Sequence, residues 1–467
     1  MIAHARSALK GLSRRQILQT IFAASLASPS WAQDAPMLYP FTLGVASGDP
    51  APDGFAIWTR LAPRPEDPHG GMPLSRPSVS WEIASDEAFE TIVQSGTEVA
   101  RPELAHSIHA EARGLQPHRT YWYRFKVAGA VSAVGRARTT PLLGASMRRV
   151  RFAALGCQNY EQGYFTAYRR VSEEDLDFVF HYGDYIYENE HRVFGYDGVA
   201  RNPRAHIGRE CYSLDDYRMR YAQYKSDPDL QAAHAAASWF PVFDDHEVSN
   251  NWAADRDQYD SPPEDFVLRR TMAMQAWYEN MPLRAAQKPS LTGIQLFRRA
   301  QFGNLLQAHF LDTRQFRTDQ PCGDGVKPAC VGVSAADARM MNVAEETWLG
   351  DGLGARETRW NLIAQQVMMF NLDRQRDASS SVPVLNMDSW AGYEAPRQRL
   401  LNRLGAMKLS NVVMLTGDEH QNYANELRLR SNDEKSPIVA HEFVATSISS
   451  GGDGFGTRAA DPCRRAY

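Results

Sequence analysis

The stretch Phe178-Val-Phe-His-Tyr-Gly-Asp-Tyr-Ile-Tyr-Glu188 (FVFHYGDYIYE) begins with large apolar residues and ends in a Gly-Asp turn that tyrosines follow. A short apolar run of this kind is typical of a strand that is covered on both faces. The turn then carries Asp184, Tyr185 and Tyr187 out of the core. The stretch therefore predicts a layered fold in which a strand delivers polar side chains at its carboxyl end.

Four further apolar runs end in the same way. VRFAALG is followed by Cys157-Gln158-Asn159, SWFPVF by Asp244-Asp245-His246-Glu247 and then Asn250-Asn251, NVVMLTG by Asp418-Glu419-His420, and LLQAHFL by Asp312 and Arg314. Ligand sites of layered α/β folds lie beyond the carboxyl ends of the strands, so all five exits are expected to converge on one cleft.

The residue types at these exits favour a metal site. A carboxylate can bridge two cations, while His, Tyr phenolate and Cys thiolate are additional ligands for the softer or more strongly Lewis acidic ion. Asp184 is the candidate bridge. Two ions about 3.5–4 Å apart hold a phosphoryl group and lower the pKa of bound water, so hydrolysis of phosphate esters is the expected reaction.

Each exit also has a simpler interpretation when it is taken alone. Gly-Asp after a strand is often a turn or a helix cap, Asp-His-Glu is often a surface hydrogen-bonding cluster, and a single Cys is often a small buried apolar residue. Capping alone does not explain four such exits in one domain, which favours the metal site. The chain has neither a G-x-S-x-G elbow nor a G-x-x-x-x-G-K-[ST] loop, which argues against an α/β-hydrolase and a P-loop enzyme.

The pattern of strands changes along the chain and predicts two domains. Residues 39–143 contain short β-type runs between Pro, Gly and Asp turns, and residues 115–125 resemble the tyrosine-corner region of fibronectin type III or immunoglobulin-like β-sandwiches. Residues 147–467 alternate apolar strands with helix-period segments, for example 266–281 and 357–370. The second domain is therefore expected to be an α/β layered β-sheet domain with flanking helices.

The first 32 residues are interpreted as an export signal. The segment Ser13-Arg14-Arg15-Gln16-Ile17-Leu18 resembles the twin-arginine consensus, an apolar stretch follows, and a small-residue site ends at Ala32. The translocation machinery of that route is thus an expected partner, with a periplasmic or extracellular location and no membrane span after cleavage. With 51 basic and 55 acidic residues the net charge is −4, which does not favour nucleic-acid binding.

An oxidising compartment would allow Cys322 and Cys330 to form a disulfide around a short polar loop. Cys211 and Cys463 have no evident partner, and either both are inert or they pair with each other.

Taken together, the blocks GCQN, HYGDYIYE, DDHEVSNNW, LDTRQFR, LTGDEH and EFVATSISSGGDG occur in the order that is found in PhoD-like (D-type) alkaline phosphatases, and the opening FTLGVASGDP is similar to that family's N-terminal domain. The resemblance covers nearly the whole chain and places it in the metallophosphoesterase superfamily. It implies an alkaline phosphatase and phosphodiesterase that acts on small-molecule or polymeric phosphate esters, with ferric iron and one or two calcium ions as cofactors.

The resemblance also assigns residues. Iron would be held by Cys157, Asp184, Tyr187 and His420, calcium would be held by Asp184, Asp245 and Asp418 with Asn250 close by, and His246 and Arg314 would face the phosphate. Thiolate and phenolate ligands suit ferric iron, and oxygen ligands suit calcium. The implied mechanism is in-line attack by a metal-activated hydroxide, in which Asn250, His246 and Arg314 stabilise the equatorial oxygens.

Family members usually continue beyond the SISSGGDG block, whereas this sequence stops at Tyr467. The expectation is a catalytic domain that is short at the C-terminus, and an incomplete site is one consequence. Two alternatives therefore remain open. One is another binuclear metallophosphoesterase, of the purple-acid or nucleotidase type, in which Cys157 would not be a ligand. The other is a catalytically impaired exported binding protein.

Overall fold

The computed structural model describes residues 38–192, 202–377, 379–431 and 433–452. These residues contain the strands β1 (Val45–Ala51), β2 (Gly54–Arg60), β3 (Ser78–Ala84), β4 (Ile92–Val99), β5 (Ser107–Ala112), β6 (Thr120–Val127), β7 (Ala130–Val131), β8 (Gly135–Arg138), β9 (Phe152–Leu155), β10 (Phe178–His181), β11 (Ser238–Pro241), β12 (Arg298–Phe302), β13 (Leu306–Phe310), β14 (Val326–Pro328), β15 (Trp360–Ala364), β16 (Val384–Asn386), β17 (Val412–Thr416), β18 (Tyr423–Arg428) and β19 (Ile438–Val444). The helices are α1 (Thr166–Ser172), α2 (Leu214–Lys225), α3 (Pro228–Ala236), α4 (Pro263–Asn280), α5 (Val343–Ala355) and α6 (Glu394–Met407).

Two six-stranded sheets form the centre of the fold. The first has the order β5-β2-β1-β11-β10-β9, and its strands β1, β11, β10 and β9 are parallel. The second has the order β12-β13-β15-β17-β19-β18, and its strands β13, β15, β17 and β19 are parallel. Every residue of β10 and β11 is buried, as expected for parallel strands that are covered on both faces.

Aromatic side chains fill the space between the two sheets. The ring centroids of Phe240 and Phe310 are 4.3 Å apart, and those of Phe178 and Phe302 are 4.9 Å apart. Such contacts add about 0.5–1.5 kcal/mol each to the burial of the rings. On the outer faces, Tyr168 of α1 packs near Trp239 of the first sheet, and residues of α5 and α6 cluster with those of the second sheet. The expected layered sheets with flanking helices are confirmed.

The N-terminal region shares a sheet with the rest of the chain. Strands β3, β4, β6, β7 and β8 form a separate five-stranded sheet, and its apolar side chains cluster with those of β1, β2 and β5. However, β1 pairs in parallel with β11, where Ser47 lies opposite Ser238. The Tyr121 hydroxyl accepts a hydrogen bond from the Gln116 N–H at 3.0 Å, which is the contact that a tyrosine corner makes. The fibronectin-like assignment and the domain boundary stay predictions.

The helix prediction is wrong for one of the two segments named as helical. Residues 266–281 lie almost wholly in α4, but residues 357–370 contain strand β15, which pairs with β13 and β17. Residues 361–364 are buried at the centre of the second sheet. A short apolar run in such a position is compatible with a buried helix or a buried strand, and only the pairing partners decide between them.

The disulfide between Cys322 and Cys330 is confirmed, and Cys157 and Cys211 are buried free thiols. The proposed signal (residues 1–32), Cys463 and the C-terminal residues from 453 onward lie outside the described residues. Among the helices that the structure describes, none combines the length and the apolar character that crossing a bilayer requires.

Candidate metal centre

The strand exits that the sequence singles out meet at one cavity. Strands β9, β10 and β11 are neighbours in the first sheet, and β17 lies in the second sheet. The cavity beyond them has a volume of about 660 Å³, and its lining includes Asp184, Asp245, Asp418 and His420. The predicted convergence on one cleft is therefore present for the exits of β9, β10, β11 and β17, and the fifth exit does not line the cavity.

Several residues at the exits have a left-handed backbone conformation. The φ angles are 52° for Cys157, 55° for Asp184, 65° for Asp418 and 52° for His420. Residues other than glycine rarely have such values, and they cluster at functional sites because the surrounding structure must hold them there. The backbone at these turns is thus shaped to present the side chains.

Glycines beside two of these residues allow the two sheets to come close together. A Cβ atom on Gly156 would lie 2.4 Å from the ring of Tyr182, and one on Gly417 would lie 2.1 Å from the same ring. Tyr182 therefore packs directly against the backbone of both exits. Any larger residue at either glycine would push Cys157 and Asp418 apart.

The first group of donors consists of Cys157, Asp184 and His420, whose ligand atoms lie within 4.8 Å of one another. The Tyr187 hydroxyl donates a hydrogen bond to Asp184 Oδ2 at 2.8 Å and lies 3.2 Å from His420 Nε2. His420 Nδ1 lies 2.9 Å from the carbonyl oxygen of Gly451. Histidine ligands usually donate one ring N–H to a backbone carbonyl or carboxylate and use the other nitrogen for the metal.

Two further groups lie beside the first and share residues with it. One contains Asp184, Asp245 and His246, and the other contains Asp244, Asp245 and Asp418. Asp184 Oδ1 and Asp245 Oδ1 are buried without a hydrogen-bond partner. A buried carboxylate oxygen without a partner is costly, so these atoms fit an arrangement in which a cation binds them.

Without a cation, the protein disfavours the ionised forms of the donor side chains. Burial raises the pKa of Asp184, and the neighbouring Asp245 raises it further. Burial and the charges of Asp184 and Asp418 raise the pKa of the Cys157 thiol well above its ordinary value. Bound cations reverse such shifts because they favour the ionised carboxylate and thiolate. The donor set therefore fits metal ions.

The three residues predicted to contact phosphate have different positions. His246 and Asn250 line the cavity, whereas Arg314 is fully buried behind it. Arg314 Nε donates to Asp244 Oδ1 at 2.5 Å, and its Nη1 donates to Asp388 Oδ1 at 3.0 Å. Its guanidinium thus binds the carboxylates of Asp244 and Asp388, and its predicted contact with phosphate stays a prediction.

Two glutamates that the sequence interpretation did not assign hold the site in place. Glu188 Oε2 accepts from His246 Nδ1 at 2.6 Å, and its Oε1 accepts the Asn250 N–H at 2.8 Å. Glu247 Oε2 accepts the N–H groups of Asp184 at 3.1 Å and Asp244 at 2.9 Å, and its Oε1 accepts that of Tyr185 at 2.6 Å. Both carboxylates are buried. The sequence offered one signal for these two roles: Glu188 and Glu247 each lie at the end of a strand-exit motif that had already been identified.

The substitution Glu247→Gln is expected to lower the free energy of unfolding by about 2–3 kcal/mol, because an amide NH₂ would then face a buried backbone N–H. Denaturant unfolding measures this effect. The matched change at the exposed Glu87, Glu87→Gln, should leave the unfolding midpoint unchanged. Equal midpoints for the two variants would show that Glu247 does not hold these turns.

The residues of the fifth strand exit, Asp312 and Arg314, do not line the cavity. Asp312 is buried and accepts the N–H groups of Arg314 and Gln315 at 3.1 and 3.0 Å. In contrast, Asp388, which follows the short strand β16, lines the cavity and was missed. Three residues of strand carry too little periodicity to mark such an exit in the sequence.

Comparisons with known proteins agree with a phosphatase site of this kind. The family model of the PhoD-like phosphatases matches residues 152–465, and the model of the N-terminal domain of PhoD-like phosphatases matches residues 26–141. The chain belongs to the PhoD-like phosphatase family. As a member of this family it is a phosphoric ester hydrolase, and the alkaline phosphatase resemblance seen in the sequence is confirmed.

The individual relatives agree with this assignment. Alkaline phosphatase D of Bacillus subtilis (strain 168) is 46% identical over 424 residues, which are 90% of this chain and 71% of that protein. A solved structure of PhoD matches with a TM-score of 0.87 and 45% identity, covering 90% of this chain and 80% of the other. A purple acid phosphatase of yellow lupin matches with a TM-score of 0.54 at 13% identity, covering 90% of this chain and 66% of the other, so that likeness concerns the fold alone.

Proposed function

We propose that this PhoD-like phosphatase is an exported alkaline phosphatase and phosphodiesterase that works with one ferric iron ion and one or two calcium ions. The observation that carries the proposal is the position of Asp184. Its carboxylate belongs to a donor group with Cys157 and His420 and to a second group with Asp245 and His246. A carboxylate shared in this way is suited to bridge two cations.

The types of donor on the two sides of Asp184 favour different ions. Cys157, Tyr187 and His420 supply a thiolate, a phenolate and an imidazole, which suit ferric iron. Asp245 and Asp418 supply carboxylate oxygens, which suit calcium. The bound ions would supply Lewis acidity, neutralise charge on the phosphoryl group and lower the pKa of water.

The chain's own residues would orient the phosphate ester. Glu188 holds Nδ1 of His246, which leaves Nε2 of that ring for a partner in the cavity. The Asn250 side chain lines the cavity and can donate to a phosphoryl oxygen, although in this structure its Nδ2 donates to Gln258 at 2.8 Å. Arg314 would act from behind by holding Asp244 and Asp388 in place. His246 and Asn250 would then be the donors to the equatorial oxygens of the transition state.

The substrate class follows from the cavity. A volume of about 660 Å³ lies within the range of small-molecule sites, and the lining includes the cationic Arg192 and Arg374 beside the acidic cluster. Small-molecule phosphate esters are therefore the first substrates to examine. Polymeric esters would have to reach the same centre through the opening of the cavity to solvent.

A second candidate is a purple-acid or nucleotidase type of enzyme with two transition metals. The fold is compatible with it, since the lupin purple acid phosphatase shares that fold, but a shared fold does not assign the metals. The thiol of Cys157 within the first donor group argues for the iron and calcium centre, since two-metal sites with only nitrogen and oxygen ligands leave no role for a thiolate.

Export by the twin-arginine route rests on residues 13–18 and on the small-residue site that ends at Ala32. The double substitution Arg14→Lys and Arg15→Lys should keep phosphatase activity in the cytoplasmic fraction of cells. An unchanged distribution between the fractions would remove this part of the proposal.

Removal of calcium is expected to abolish activity reversibly. Treatment of the purified protein with EGTA should lower phosphatase activity by about 100-fold or more, because the carboxylate side of the site loses its Lewis acid. Calcium should restore activity, and zinc should not. Full activity in the presence of both EGTA and EDTA would contradict the proposed metal dependence.

A further inference from the structure

The segment closed by the disulfide forms one side of the candidate site. Cys322 and Cys330 enclose β14, which pairs antiparallel with β16 so that Val326 lies opposite Asn386. Both Val326 and Asn386 line the cavity. The disulfide loop, defined as residues 322–330, is thus next to the reaction site and not at a remote surface.

Asp324 connects this loop to a candidate ligand. Asn251 Nδ2 donates to both carboxylate oxygens of Asp324, at 2.8 and 2.9 Å. The backbone N–H of Asn251 in turn donates to Asp245 Oδ2 at 2.8 Å. Asn251 has a left-handed backbone with a φ of 51°, so its orientation depends on contacts that hold it. Two hydrogen-bonding steps therefore separate Asp324 from Asp245.

A residue just before the disulfide loop holds Asn251 from the other side. Gln320 Nε2 donates to the carbonyl oxygen of Asn251 at 2.6 Å and to Asp388 Oδ1 at 2.7 Å. The side chain and the carbonyl of Asn251 are therefore both bound by residues that flank Cys322. This leaves the Asn251 N–H directed at Asp245.

Besides the disulfide, a few backbone contacts hold the loop: the Met387 N–H donates to the Gly325 carbonyl at 2.9 Å and the Ala329 N–H to the Pro383 carbonyl at 2.9 Å, and Ala329 packs against a small apolar cluster. All three residues of β14 are exposed, and a two-stranded pairing of this length is marginal in water. Gly323 and Gly325, which flank Asp324, have positive φ angles of 76° and 88° and a wide choice of conformations when unconstrained. A covalent link between the ends of the loop reduces that freedom.

We propose that Asp324 is a positioning residue for Asp245, acting through Asn251, and that the Cys322–Cys330 disulfide keeps it in place. The inference rests on the proposed function, in which Asp245 binds a calcium ion. Activity and calcium affinity then depend on the disulfide, although neither cysteine lines the cavity.

The test compares four proteins: the wild type, Asp324→Asn, the double variant Cys322→Ser/Cys330→Ser, and the control Asp337→Asn, which makes the same chemical change at an exposed position. Circular dichroism establishes folding, and thiol titration reports the disulfide. After EGTA treatment, phosphatase activity and bound calcium are measured against added calcium. The Asp324 and double-cysteine variants should need about 10-fold or more calcium for half-maximal activity, with kcat largely restored at saturation, since residues behind a ligand typically contribute this much to metal affinity.

The restoration at saturating calcium separates positioning from a purely structural role. A variant that is damaged only in its fold would show a lower thermal midpoint with an unchanged calcium requirement, and that result would overturn the proposal. Wild-type calcium affinity in Asp324→Asn would overturn it as well, even if the double variant failed to fold. If the wild type itself neither binds nor needs calcium, the proposed function fails and this inference fails with it.

Discussion

The substitution Asp184→Asn is expected to lower kcat/KM for a phosphate monoester such as p-nitrophenyl phosphate by a factor on the order of 10³. The reason is that Asp184 is the residue common to the Cys157 and His420 group and to the Asp245 and His246 group. An amide supplies one neutral oxygen where a carboxylate supplies two charged ones, so the side chain could no longer bridge two cations and both ions would be held less tightly. We therefore also expect the variant to lose both metals, measured by elemental analysis.

The control for this variant is Asp351→Asn, which makes the same change at an exposed position of α5. It should retain wild-type activity and metal content. Because Asp184 Oδ1 is buried without a partner, Asp184→Asn is not expected to unfold the metal-free protein. Wild-type turnover in Asp184→Asn would contradict the bridging role, and lost turnover with both metals retained would assign Asp184 to another step.

The second large effect is expected from Cys157→Ala. We predict that it removes iron and lowers kcat/KM by about 100-fold, since the residues that remain offer no other thiolate to the first donor group. Coordination of ferric iron by thiolate and phenolate should also give the wild-type protein visible colour, and the variant should lack it. Calcium binding should be less affected, because Cys157 belongs only to the group on the iron side.

Cys211→Ala is the matched control, since Cys211 is the other buried free thiol among the described residues. Its loss leaves a cavity of similar size but removes no residue of the three donor groups. A nearly unchanged activity in Cys157→Ala would favour the purple-acid or nucleotidase alternative, in which this thiol is only a small buried side chain.

The sequence was most informative where an apolar strand pattern is followed directly by side chains that can bind a metal. The runs before Cys157, Asp184, Asp245 and Asp418 predicted both the strands and their convergence, because parallel strands bring their carboxyl ends to one edge. The site also depends on short elements without such a pattern. Asp388 follows a strand of three residues, and nothing in that run marks it as part of the cavity.

Long-range pairing accounts for the remaining differences between the sequence predictions and the structure. The register of β1 against β11 joins Ser47 to Ser238, and no local periodicity in either segment reveals it. The burial of Arg314 is similar, since its partners Asp244 and Asp388 come from distant parts of the chain. Residues 357–370 were predicted to be helical although they contain β15, because a buried strand between two parallel neighbours has no polar alternation.

The metal content of the protein as purified, without metals added after lysis, tests the central claim most directly. Plasma mass spectrometry should find close to one iron per chain together with one or two calcium ions. Zinc or manganese in place of both would contradict the assignment of Cys157, Tyr187 and His420 to iron and would favour the other binuclear type. Active protein with no bound metal would contradict the metal centre altogether.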